Sequence, residues 1–206
     1  MPTEAIVTAK PQAGLTLVEL VVTIVVLAVA LVGLTSVLGG GLARSSDTLL
    51  NVRTVALAQS YLDEILSKRF DEQSQVRGIP PCRAASGRTC STFRDCATPI
   101  AAGLFGPDGT EARANFDDVD DYHCLDEGDG QANPLQDADG ATRDGYENFR
   151  VQVAVRYIDP ATGDEFNIGQ TNNEFSDTFD GKLITVSVSH RTMDEPIQFS
   201  AYKANF

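Results

Sequence analysis

Charge is missing from Leu20 to Ala43, proline is missing between Gln12 and Ile79, and histidine is confined to His123 and His190 in a chain of 206 residues. Basic residues are also scarce, 16 Lys and Arg against 29 Asp and Glu, for a formal net charge of -13. A nucleic-acid partner is excluded on that balance, because phosphate binding needs clustered cations. The four cysteines include no CxxC pair, which argues against zinc. The two histidines offer no constellation for nucleophilic catalysis, His123 being a mere sequence neighbour of Cys124, so the chain is expected not to be an enzyme. The proline gap means that nothing from Gln12 to Ile79 must break a helix by ring clash or a missing N–H donor.

What fills the gap is apolar. The stretch AGLTLVELVVTIVVLAVALVGLTSVL, Ala13 to Leu38, carries one ionised side chain, Glu19. A helix needs about 20 apolar residues to cross the hydrocarbon core. The uncharged run exceeds that, and exceeds the apolar core of about 7–15 residues of a secretory signal peptide. It predicts a membrane helix, continuing as one long helix from about Leu17 to Lys68. Gly33 and Gly39-Gly40-Gly41 weaken it by about 1 kcal/mol each relative to Ala, the triplet marking the exit from the bilayer. Beyond Thr48 the pattern turns amphipathic, with Val55, Ala58, Leu62, Ile65 and Leu66 on one stripe and Arg53, Gln59, Asp63 and Lys68 on other faces.

Residues 71–147 hold all four cysteines with many Gly, Pro and Asp and little periodicity, and predict loops. Residues 148–206 alternate. Phe149, Val151, Val153, Val155 and Tyr157 form one strand face; Ile184, Val186 and Val188, then Ile197, Phe199 and Ala201, repeat the pattern after turns at Asp159–Gly163 and Asp194–Pro196. The fold class is therefore α+β: a long N-terminal helix on a C-terminal antiparallel sheet, with a cysteine-bearing loop region between. The divisions expected are 1–14, 15–43, 44–70, 71–147 and 148–206.

At Gly14 a short polar leader, MPTEAIVTAKPQAG, meets Leu15-Thr16-Leu17-Val18-Glu19-Leu20. This junction resembles the prepilin cleavage and methylation motif of type IV pilins and type II secretion pseudopilins. The resemblance implies a pilin-like fold, a prepilin peptidase that cuts after Gly14 on the cytoplasmic side, and N-methylation of Leu15, where the family usually has phenylalanine. It makes Glu19 the fifth mature residue. Serine at position 36, where major pilins commonly carry a kinking proline, favours a minor pilin or pseudopilin. Arg44–Leu50, Ala56–Leu66 and the acidic Asn115-Phe116-Asp117-Asp118-Val119-Asp120-Asp121-Tyr122 are further similar to MshD-type minor pilins of the mannose-sensitive haemagglutinin (MSHA) pilus. The partners implied are the peptidase, other pilin subunits contacted through the N-terminal helix, and the inner membrane before assembly, with the head on the periplasmic side.

In that compartment disulfides persist, so Cys82, Cys90, Cys96 and Cys124 predict two bridges, in any of three pairings. Two acidic runs, Asp126-Glu127-Gly128-Asp129-Gly130 and Asp137-Ala138-Asp139-Gly140 with Asp144, have residue types suited to Ca²⁺ but not the EF-hand pattern; solvated turns are the simpler expectation, with Asp137, Asp139 and Asp144 the candidate ligands. Besides a fibre subunit of either system, a membrane-tethered binding module with an acidic calcium loop accommodates the anchor, but leaves Gly14 and Glu19 without a role.

Overall fold

The computed structural model describes residues 14, 16–74, 82, 87, 89–159, 163 and 181–205, with the backbone alone for 36–47. The chain divides into two compact units, Met1–Leu50 and Asn51–Phe206. One helix, α1, runs from Leu17 to Ser67, through the three glycines, as the proline gap allows. The strands are β1 (Asp126–Gly128), β2 (Phe149–Ile158), β3 (Gly181–His190) and β4 (Ile197–Ala204). They form one antiparallel sheet in the order β1-β2-β3-β4. The expected α+β architecture is the observed one.

The inward face of the sheet follows the period of two. Phe149, Val151, Val153, Val155 and Tyr157 of β2 are buried, as are Ile184, Val186 and Val188 of β3, in the register Val151↔Val188, Val153↔Val186 and Val155↔Ile184. In β4 the alternation holds with shallower burial, and Tyr202 is exposed. The sheet also gains β1 from within the loop-rich region. Gly128 makes that possible: it sits at φ +104, and a Cβ there would lie 2.2 Å from the Phe149 carbonyl oxygen.

The second half of α1 buries Thr54, Leu57, Ala58, Tyr61, Leu62 and Ile65, each large apolar side chain contributing about 1.5–3 kcal/mol. Two members of the expected stripe depart from it: Val55 is exposed and Leu66 half-buried. The inward line runs through Thr54 and Leu57 instead, because the packed face is set by where the head lies and not by apolar spacing alone. Helix α1 has no basic residue in its last turn. Lys203 of β4 supplies the cation, donating through Nζ to the carbonyls of Leu66 (2.7 Å) and Lys68, so carbonyls left over at the helix end are satisfied from the sheet.

Candidate functional site

The N-terminal segment begins with a cap. Thr16 Oγ1 accepts from the Glu19 N–H at 3.3 Å, and the Thr16 carbonyl accepts from the Leu20 N–H at 3.1 Å. Thr16-Leu17-Val18-Glu19 thus has the T-x-x-E spacing of a capping box, and Glu19 lies in the first turn, where the helix dipole favours a carboxylate. Gly14 is exposed just upstream; Leu15 and the leader before Gly14 lie outside the described residues.

Leu17–Thr35 is long and apolar enough to cross a membrane, with mean hydropathy 2.9, and none of it is buried within the protein. Its polar groups close on themselves: Thr23 Oγ1 donates to the Leu20 carbonyl and Thr35 Oγ1 to the Val32 carbonyl, both at 2.9 Å. A span that needs no partner for its hydrogen bonds, yet exposes every side chain, is built for a surrounding apolar phase.

The head is organised differently, around buried charge. The Arg113 guanidinium lies 2.5 Å from Glu64 and 3.4 Å from Glu127, over the ring of Tyr122 at 4.8 Å. Tyr61 donates to Glu127 at 2.8 Å and Tyr122 to Glu64 at 2.7 Å. Arg143 adds bonds to Ser60 Oγ and to the Gln136 carbonyl. This network ties α1 to β1 and the loops on either side of it.

A second centre surrounds Lys182, whose ammonium is fully buried. It donates to Asp120 Oδ1 at 2.5 Å, to Asp71 Oδ2 at 3.3 Å and to the Phe70 carbonyl at 2.5 Å. Burial raises Asp120 well above the usual carboxylate range, against the pull of Lys182. Burial, with the neighbouring Asp71 charge, lifts Asp118 to about 6. Asp71 goes the other way: burial would raise it, but the Lys182 charge and the N–H groups of Gln73 and Ser91 hold it low. The acidic run 115–122, expected on resemblance alone, begins at the end of one 3₁₀ turn (Arg113–Asn115) and ends in a second (Asp120–Tyr122). The carboxylates of Asp118, Asp120 and Asp121 fold inward while Asp117 stays exposed beside Arg69, Asp118 accepting from the N–H groups of Asp120 and Asp121, and Asp121 from those of Asp117 and Asp118.

The cysteines pair as Cys82–Cys90 and Cys96–Cys124, leaving no free thiol among the four. His123 is more than a neighbour in sequence: it is buried, its Nδ1 accepts from the Val155 N–H at 3.1 Å, and its Nε2 lies 3.0 Å from the Arg94 carbonyl. Burial pushes its imidazole down to about 4, so it stays neutral and pins the Cys96–Cys124 loop to β2. The acidic runs are largely spoken for. Asp126 pairs with Arg150, Asp129 with Arg191, and Asp137 Oδ1 accepts from the N–H groups of Asp139 and Ala141, closing a turn. Asp137, Asp139 and Asp144 join no group of three ligand atoms among the described residues.

Sequence reasoning passed over Lys182 and Arg113, and read Glu127 only as part of an acidic turn and Glu64 only as part of the helix. For Lys182 a signal existed: it shares the parity of Ile184, Val186 and Val188, so the same alternation that buries them turns it inward. No such signal marked Arg113 or Glu127, whose partners are distant in sequence.

The chain matches the family model for the prokaryotic N-terminal methylation motif over residues 9–35. No curated protein and no solved structure matches it significantly. The matched stretch holds the Gly14 junction, the Thr16 cap, Glu19 and the whole exposed apolar span; in the proteins that carry it, this motif is the substrate site of prepilin peptidase. The chain thus carries the methylation motif that indicates a pilin- or pseudopilin-type protein, on a membrane-length helix followed by a disulfide-bonded α+β head.

Proposed function

We propose that the protein is a minor pilin of a type IV pilus, of the MSHA kind, cut after Gly14, methylated on Leu15 and drawn into a fibre by its N-terminal helix to support pilus assembly. One observation carries this: the methylation motif runs directly into a span with no residue buried within the protein. Before assembly that span is covered by the inner membrane, with the leader cytoplasmic and the head periplasmic; afterwards it is covered by the helices of other subunits. Cleavage creates an α-amino group on Leu15, positive below a pKa of about 8. Glu19 of one subunit pairs with the amine of a neighbour and fixes the axial register between helices that otherwise present interchangeable apolar faces. The capping geometry fits, since it starts the helix at Thr16 and so places Glu19 in the first turn, near the junction.

Mass spectrometry of the mature N-terminus tests the proposal: a methylated Leu15 supports it, and an intact leader sinks it. Glu19→Ala should be inserted and cleaved normally but depleted from sheared fibres relative to the membrane fraction; equal recovery would end the register role. A type II secretion pseudopilin is the second reading, because the same motif serves both systems. It is favoured if deletion of the chain abolishes protein secretion while surface fibres persist.

A further inference from the structure

We propose that Lys182 and Asp120 are joined by an intramolecular amide bond, formed between Lys182 Nζ and Asp120 Cγ with loss of one water. This is independent of the fibre assignment. Nζ is 2.5 Å from Asp120 Oδ1 in a position with no solvent exposure, and the two residues stand 62 apart in sequence. The rings of Phe70, Phe105 and Tyr157 have their centroids 4.3, 4.9 and 5.2 Å from the nitrogen and wall the site from water. Nucleophile and acyl carbon are thus held together, and aligned intramolecular partners reach effective molarities of about 10⁵–10⁸ M, which favours condensation of an amine with a carboxylic acid.

The charges suit the reaction. Asp71, Asp118 and Asp120 are buried around a single cation, and three carboxylates cannot all stay ionised beside one ammonium in a desolvated site. The one to be protonated is marked by hydrogen bonding: among the described residues Asp120 Oδ2 is buried without a donor to it, the place for the acid's own proton. Asp71 sits 3.3 Å from Nζ, receives the N–H groups of Gln73 and Ser91 on its two oxygens, and is positioned as the base.

The step balances with these three groups. The Asp71 carboxylate takes one proton from the ammonium, and the freed nitrogen lone pair attacks Cγ of the protonated Asp120. The nitrogen loses a second proton while the departing hydroxyl gains one, relayed by Asp71; the C–O bond breaks and water leaves. The pair ends as a neutral amide beside a protonated Asp71, with no oxidant or cofactor needed. Ammonium and carboxylates are replaced by groups that cost less to bury. The product ties the 3₁₀ turn at Asp120–Tyr122 to the first residues of β3.

The test is the intact mass of the full chain, purified from membranes in detergent, reduced and alkylated. The wild type should weigh one water less than its processed sequence, and a tryptic digest should give a branched peptide joining the segments that contain Asp120 and Lys182. Lys182→Arg and Asp120→Ala should each restore the water. Asp71→Asn, which keeps both reacting groups, should carry mostly uncondensed chain. A wild type at full mass with an unbranched Lys182 peptide overturns the proposal whatever the variants do. So does a missing water that persists in Lys182→Arg.

Discussion

The apolar half of α1 and the head solve the burial of polar groups in opposite ways. From Leu17 to Thr35 every side chain is exposed and the only side-chain hydrogen bonds described reach no further than one turn. In the head, Arg113, Glu127, His123 and Lys182 lie in the interior, and each is answered by a residue tens of positions away: Glu64, Tyr61, Arg94 and Asp120 in turn. A segment that exposes every side chain must be complete in itself. A domain that folds on itself can spend burial on charge, because it also supplies the counter-charge. The difference teaches where each half is vulnerable: the anchor to changes of local chemistry at one junction, the head to loss of either member of a distant pair.

The sharpest break comes at the junction. Replacing Gly14 by Leu should leave the full-length chain unprocessed in the membrane while the unfolding midpoint of the head stays at the wild-type value; a normal-sized mature product would separate the motif from its use. The converse is Arg113→Ala, which takes the nearest cation from Glu64 and Glu127, leaving Glu64 with Arg143 at 3.3 Å and Glu127 with the Tyr61 hydroxyl, and should cost about 3 kcal/mol in urea unfolding, with processing untouched.

Next come the bridges. Thiol labelling of unreduced protein should find no free cysteine. Loss of Cys96–Cys124, which spans 28 residues, should cost about 2–5 kcal/mol, and loss of Cys82–Cys90, which spans 8, less, because a shorter loop restrains the unfolded chain less.

Asp121 gives a pH test. Burial, then the neighbouring Asp118 charge, raises its carboxyl to about 7, so between its unfolded value and pH 7 the folded state holds the extra proton and stability falls as pH rises. His123 works oppositely, being neutral down to about 4 and adding stability as pH climbs toward its unfolded value. Asp121→Asn keeps an oxygen for the N–H groups of Asp117 and Asp118 but cannot ionise. Its melting temperature should exceed wild type at pH 8, and the gain should vanish as pH falls through 7 toward 4. A constant difference across that range would refute the titration. The smallest effect belongs to Arg191→Ala: the pair with Asp129 is largely in solvent on the arginine side, and its loss should cost no more than about 1 kcal/mol.

What was legible follows from the range of the interactions. The apolar span, the Gly14 junction, the unbroken helix and the alternating strands are properties of neighbours one to four residues apart, so they are written in the sequence directly. β1 was not legible, because three residues, Asp126-Glu127-Gly128, have no period; they become a strand only where Gly128 lets them approach β2. Nor was the exposure of Val55, since a helix's apolar spacing admits more than one inward direction until something packs against it.

The sequence by itself determined that the chain has an anchor, a long helix, four cysteines available to oxidise and a terminal sheet, because local periodicity and composition act before any distant contact forms. Only the tertiary structure decided which cysteines meet, that His123 is a neutral spacer between Arg94 and β2, and that Lys182 faces Asp71 and Asp120. Those choices depend on distances between residues far apart in the chain, and such distances do not exist until the sheet and the helix have closed around one core.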